Sequence, residues 1–103
     1  MTVTSISRWQ VAPGKMDEVV GYGRRGKEVA LKHGAEEFRM AQVHAGAFAG
    51  QVMAVIRCAD WASYGKMMQG LGADPVYQDL LISITASGTA EITGRSIVVG
   101  IDL

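Results

Sequence analysis

The chain has 103 residues, of which 49% are hydrophobic and 19% charged. That length supports one domain with its own core but not a cover for both sides of a broad sheet, and the apolar excess points to an interface. Ten basic and ten acidic residues cancel, so there is no field to draw in nucleic acid or an anionic membrane, and binding to either is not expected.

The opening MTVTSISRWQ has no basic segment followed by an apolar one. No stretch approaches the ~18 to 20 apolar residues of a membrane span, so a cytoplasmic location is expected. Residues 3–11, VTSISRWQV, are rich in β-branched and aromatic side chains and predict a strand stopped by Pro13-Gly14. Met16, Val19, Val20, Gly23, Lys27, Ala30, Leu31 and Gly34 then recur at helical spacing, which predicts a long amphipathic helix closed near Gly34. His33, just before that stop, suits the negative end of the helix dipole.

Residues 21–26 of this helix read GYGRRG, the G-x-G-x-x-G pattern of a dinucleotide-binding loop. Such a loop must follow a strand directly and open a helix, and an acidic residue should stand about 20 positions on. Here the glycines fall well inside the helix and no acidic residue stands near that position. They are read instead as a place where helix and sheet approach closely, since Gly has no Cβ to hold the backbones apart.

Two strands follow, EFRMAQVH at 37–44 and QVMAVIRC at 51–58, paired as a hairpin through AGAFAG. Asp60 is an N-cap for a helix carrying Trp61, Tyr64, Met68 and Leu71 on one face, with Gly72 as its stop. Asp74 with Pro75 behind it opens another, in which Tyr77, Leu80, Leu81 and Ile84 share a stripe. LISIT at 81–85 also fits a short strand. RSIVVGIDL closes the chain as a last strand, and no linker or repeat interrupts residues 1–103.

The order β-α-β-β-α-(α)-β is an α+β, ferredoxin-like arrangement with a four-stranded antiparallel sheet. Right-handed crossovers place all the helices on one face. The strands are apolar on both sides, with Val52, Ala54 and Ile56 opposing Met53 and Val55, and Ile97, Val99 and Ile101 opposing Val98. The second face therefore calls for a cover, and a second copy packed sheet to sheet is the economical one.

The segment SRWQVAPGKMDEV, with Arg8 and an aromatic ahead of Pro13-Gly14-Lys15, and the aromatic-bearing helix followed by ADPVYQDL, resemble the dimeric α+β barrel superfamily near its antibiotic-biosynthesis-monooxygenase-like and NIPSNAP-like branches. The resemblance spans nearly the whole chain. It implies a homodimer and a small-molecule cleft between helices and sheet, with activities ranging from cofactor-independent oxygenation and isomerisation to none known. Branches that degrade haem or form quinones use an asparagine in their sites, and this chain has no Asn. The resemblance thus bears on fold and assembly more than on chemistry.

Among candidate site residues, His44 at a strand end has the titration range of a general base or acid, or is simply a partly exposed histidine. Trp9, Trp61, Tyr64 and Tyr77 read either as core or as walls of an apolar ligand cleft. Arg8 is placed to meet a ligand carboxylate or Glu37. Cys58, His33 and His44 lack the spacing of a zinc site, and Cys58 has no cysteine partner, so neither metal nor cofactor is expected.

Overall fold

The computed structural model describes residues 1–103. Its elements are β1 (Val3–Val11), α1 (Met16–Lys32), β2 (Glu37–Gln42), β3 (Val52–Cys58), α2 (Trp61–Ala73), α3 (Pro75–Ser87) and β4 (Ala90–Val99). The strands form one antiparallel sheet in the order β2-β3-β1-β4, so the α+β, ferredoxin-like arrangement predicted from the pattern is the one observed. LISIT lies within α3. The whole molecule is a slab of 39 × 35 × 17 Å.

Each helix begins where the sequence supplies a cap. The Asp60 carboxylate accepts from the Ser63 amide at 2.8 Å and the Asp74 carboxylate from the Val76 amide at 2.9 Å, with Pro75 at the start of α3 where no amide hydrogen is needed. α1 has no side-chain cap but carries Asp17 and Glu18 in its first turn and Lys32 in its last, matching the helix dipole. α3 ends at Gly88, whose left-handed φ of 64° suits a residue without a Cβ.

Three boundaries differ from expectation. α2 runs past Gly72 to Ala73, because Asp74 is at once the residue that ends α2 and the cap that starts α3, leaving no loop for Gly72 to open. β2 stops at Gln42; Val43 and Gln51 still bond across the hairpin at 2.8 Å, and His44 falls in the exposed turn beyond. β4 starts at Ala90 rather than Arg95, since an irregularity between Arg8 and Trp9 shifts the register and lets Ala90, Glu91 and Ile92 pair with Val11, Gln10 and Trp9.

Pairing fixes what each face of the sheet presents. On the helix side, one row runs Arg95, Ser7, Ala54, Met40 and the next Ile97, Ser5, Ile56, Phe38. The helix-free side has the rows Val98, Thr4, Arg57, Glu37, then Ser96, Ile6, Val55, Arg39, then Gly94, Arg8, Met53, Ala41. That second face is apolar only along its middle and is edged by arginines, a more polar surface than strand composition alone suggests.

The core sits under α1 and α2 and comprises Val29, Ala30, Ala35, Cys58, Met67 and Leu71. Full burial of a side chain such as Met67 or Leu71 contributes roughly 1.5–3 kcal/mol. The Cys58 thiol is wholly enclosed and lies 3.6 Å from the Met67 sulfur. Burial pushes its pKa up, with the Glu36 and Asp60 carboxylates adding to the effect, so it is not a nucleophile.

GYGRRG lies in the middle of α1, as its spacing predicts. Gly23 and Gly26 face the sheet: a Cβ on Gly23 would collide with the Met40 thioether, and one on Gly26 would meet the Phe38 ring at 3.4 Å. Gly21 faces open space. Gly21→Ala is therefore expected to stabilise the protein by about 0.5–1 kcal/mol through helix propensity. Gly23→Ala should give a smaller gain or a loss because Met40 must swing away, and thermal melting of the two variants checks the difference.

Asp74 is buried and its second carboxylate oxygen lies 2.7 Å from His33 Nε2 and 3.6 Å from Lys32 Nζ. The His33 hydrogen bond, with the Val76 amide and the Lys32 charge, holds its pKa below the usual aspartate value against the cost of burial. A carboxylate depressed in the folded state stabilises it above the unfolded aspartate pKa, and that stabilisation is lost as pH falls through the folded one. Melting temperature should therefore fall as pH drops below about 4. Asp74→Asn should lower it at pH 7 and flatten the acid decline, which melting curves at a series of pH values will read.

Candidate functional site

Between the helices and the sheet lies a cavity of about 100 Å³ lined by 16 residues, 13 of them hydrophobic. Its walls come from Tyr22, Gly23 and Gly26 of α1, Tyr77, Leu80, Leu81 and Ile84 of α3, and Trp9, Phe38, Met40 and Ile56 of the sheet. The glycines that bring α1 close to the strands also withhold the side chains that would fill this space. No His, Asp, Glu, Lys or Arg lines it. Ser7, Trp9, Ile56, Tyr77, Leu81 and Ala90 are shared with an open groove of about 930 Å³ over β1 and β4, whose lining adds Arg95, Glu91, Met68 and Thr85. Cavity and groove are thus one cleft with an apolar depth and a polar mouth.

The polar groups at the mouth are few and individually held. Trp9 Nε1 donates to Ser7 Oγ at 2.9 Å, which fixes the indole as a wall. Arg95 crosses the mouth, donating from Nε to Ser5 Oγ at 3.3 Å and from Nη2 to the Tyr64 hydroxyl at 2.9 Å. All its hydrogen-bond partners are neutral, and it forms no ion pair: Glu37 meets Arg39 and Arg57, Glu18 meets Lys15, and Asp74 meets Lys32 and His33, while Glu91 lines the same groove outside ion-pair distance of any base. Tyr77, half-buried, has its phenol pKa pushed up by burial and drawn partly back by the Arg95 charge. An anionic oxygen at this mouth gains a charge-assisted hydrogen bond that no protein group supplies.

The structure brings together some of the sequence candidates and separates others. Trp9 and Tyr77 line both parts of the cleft, and Tyr64 reaches its mouth through Arg95. Trp61 stands at the start of α2, 53% exposed, with its ring edge-on to Tyr64 at 5.9 Å, so it supports Tyr64 from outside. His44 is exposed in the β2–β3 turn and lines neither part. Arg8 points from the helix-free face. Its guanidinium lies under the Phe48 ring at 4.5 Å and 3.4 Å from Ser96 Oγ, and Gly94 makes the room for it. Arg8 does not meet Glu37, which is two strands away in the Arg39–Arg57 pairs; its Nε is buried without a partner.

Arg95 is the site residue the sequence reading missed. Read as the first residue of a terminal strand, it had no assigned face; only the early start of β4 and its pairing with Ser7 turn it toward the helices. The available signal was an arginine in a strand of alternating residues whose partner strand carries Ser5 and Ser7.

No family model matches the sequence, and no curated protein is similar to it. Solved structures are similar in fold. The cofactor-independent oxygenase SnoaB of Streptomyces nogalater, in a mutant form, superposes with a TM-score of 0.73 at 12% identity, over 99% of this chain and 95% of that one. A NIPSNAP domain protein from Burkholderia xenovorans gives 0.75 at 16% identity over 96% and 94%. A putative antibiotic biosynthesis monooxygenase from Chloroflexus aurantiacus gives 0.67 at 13% over 99% and 95%. At these identities the likeness is one of architecture: the chain has the ferredoxin-like fold of the NIPSNAP and antibiotic-biosynthesis-monooxygenase-like proteins.

Proposed function

We propose that this protein is a homodimeric binding domain for a small apolar or aromatic molecule that carries one acidic or enolic oxygen, on which it acts as a cofactor-independent monooxygenase or isomerase. The observation that carries the reading is Arg95, a guanidinium without a carboxylate partner, set at the mouth of an otherwise apolar cavity. Sites of this build enclose the apolar body of a ligand and orient it by one or two polar groups. SnoaB, similar in fold, is named as a cofactor-independent oxygenase, which supports the chemical class. A phenolate or enolate is itself an electron donor to dioxygen, so such chemistry asks of the protein only deprotonation, orientation and exclusion of bulk water. The ring walls and the Arg95 charge are suited to those tasks.

A second reading, a non-catalytic ligand- or partner-binding domain, is favoured by one observation: the deep cavity holds no titratable acid or base other than tyrosine. Oxygen uptake with a bound anthrone, or isomerisation of a bound enolisable ketone, marks an enzyme, and a binding domain shows neither.

The homodimer is inferred from the helix-free face. Ile6, Val55 and Met53 lie along its middle, and no helix or strand of this chain covers them. Light scattering should give twice the mass of the chain at micromolar concentration, and a well-folded monomer would remove this part of the reading.

For the cleft, 2-hydroxy-1,4-naphthoquinone, anionic at neutral pH, and uncharged naphthalene are suitable probes. Arg95→Met should weaken the anion by roughly 10- to 100-fold, the worth of one charge-assisted hydrogen bond, and leave naphthalene nearly unchanged. His44→Ala should alter neither affinity. Equal losses for both probes in Arg95→Met would show that the arginine shapes the cleft without reading charge.

A further inference from the structure

A line of hydroxyl groups leaves the cavity between α1 and α3. Tyr22, one of the cavity walls, has its hydroxyl 3.4 Å from Ser87 Oγ. Ser87 Oγ lies 2.6 Å from Thr89 Oγ1, and Thr89 donates to Glu18 Oε2 at 2.9 Å. Thr89 is fully buried, whereas the Glu18 side chain is 48% exposed and meets Lys15 Nζ at 3.2 Å.

Counting hydrogens leaves one direction in which the line is continuous, with the Ser87 proton on Thr89 rather than on the Ile84 carbonyl. A carboxylate only accepts, so the single Thr89 hydroxyl proton goes to Glu18. The 2.6 Å contact is then filled by the Ser87 proton, and Tyr22 completes the series by donating to Ser87. Every proton points from Tyr22 toward Glu18, by way of the exposed Ser87 and the buried Thr89. The Thr89 hydroxyl, followed by Lys15, holds the Glu18 carboxyl below its ordinary pKa, which keeps the terminus ionised. The backbone carbonyl of Ile84, 3.2 Å from Ser87 Oγ, is the competing acceptor. The Tyr22–Ser87 link is longer than an ordinary O–H···O bond, of the kind that tightens when a ligand fills the site.

We propose that Tyr22, Ser87, Thr89 and Glu18 form a proton relay that carries the hydroxyl proton of a phenol or enol bound in the cleft to the protein surface; this rests on the ligand-binding reading above. In the transfer the ligand O–H bond breaks as the Tyr22 oxygen takes the proton. The proton of Tyr22 passes to Ser87, that of Ser87 to Thr89, and that of Thr89 to Glu18. The ligand is left as an oxyanion and Glu18 as a neutral carboxyl, which returns the proton to water. No oxidant or co-reactant is consumed. A cavity whose walls hold no carboxylate or imidazole thereby has a base at one remove.

The test uses 2-naphthol, a bicyclic phenol that becomes a strong acid on excitation and whose neutral and ionised forms emit at different wavelengths. Fluorescence anisotropy reads its binding to the intact protein, and the emission ratio of the bound fraction reads its deprotonation. In the wild type the bound probe is expected to emit chiefly as naphtholate. Glu18→Gln and Ser87→Ala, both at exposed positions, should each cut that ratio roughly tenfold or more, the lower range of what a general base contributes, with affinity unchanged. Thr89→Val should do the same where it folds. A role confined to holding helices together would lower melting temperature in these variants and leave the emission ratio alone. A bound wild-type probe that emits as naphthol, or a ratio that survives both surface substitutions, overturns the relay and leaves the cleft standing. No change in anisotropy overturns the cleft and the relay with it.

Discussion

α1 and α3 are tied to each other at both ends by polar groups, and between those ties the glycines of α1 let it approach the sheet closely. At one end Asp74 accepts from the first turn of α3 and from His33 at the end of α1. At the other, Glu18 in the first turn of α1 accepts from Thr89, which in turn meets Ser87 at the end of α3. Two antiparallel helices pinned in this way cannot slide together. Between the pins α1 presents Gly23 and Gly26, so the space that larger residues would occupy stays open and is walled by Phe38, Met40, Tyr77 and Leu80. Buried or half-buried carboxylates are costly unless bonded, and here each is placed where its hydrogen bonds also set a helix position.

A single layer of helices over four strands has a second consequence. With helices on one side only, just 14 of 103 residues are buried, and Ile92, Ile97, Val98 and Val99 of the edge strand β4 remain exposed. Small domains of this size are marginal on their own cores. The helix-free face divides its surface between an apolar middle of Ile6, Val55 and Met53 and a margin where Arg39 and Arg57 share Glu37. Arg8 is the exception within that margin, covered by Phe48 and held by no anion. A face with this distribution is neither a finished surface nor a finished core.

Element order was legible in the sequence because its signals are local: Pro13-Gly14, Gly34, Asp60 and Asp74-Pro75 each act within a turn. GYGRRG could be placed inside a helix from the periodicity on either side of it. The start of β4 was not legible, since Ala90-Glu91 has little strand propensity and its pairing depends on a register shift beside Trp9 in a strand some 80 residues away. The site followed the same division. Tyr64 and Tyr77 were visible as inward-facing aromatics on helical stripes, while Trp61 on the same stripe is exposed at the first turn of α2; Arg95 depended on the missed strand start, and Arg8 was assigned to a ligand or to Glu37 because strand alternation alone does not say which face the helices cover.

The placement of charge around the cleft limits what can enter it. Its deep walls offer Tyr22 and Tyr77 as the polar groups besides Ser7 and the indole of Trp9, and an ion moved there from water would go unpaired at a cost of several kcal/mol. Arg95 and Glu91 both line the groove, Arg25 lies 4.8 Å over the Tyr22 ring, and Glu18 stands behind the α1 wall. A ligand of the proposed kind would enter with its apolar body leading, keep any permanent anion at the Arg95 end, and be neutral where it meets the tyrosines. If chemistry occurs in the depth, the charge it needs must be made there after binding, by moving a proton out rather than by bringing an ion in.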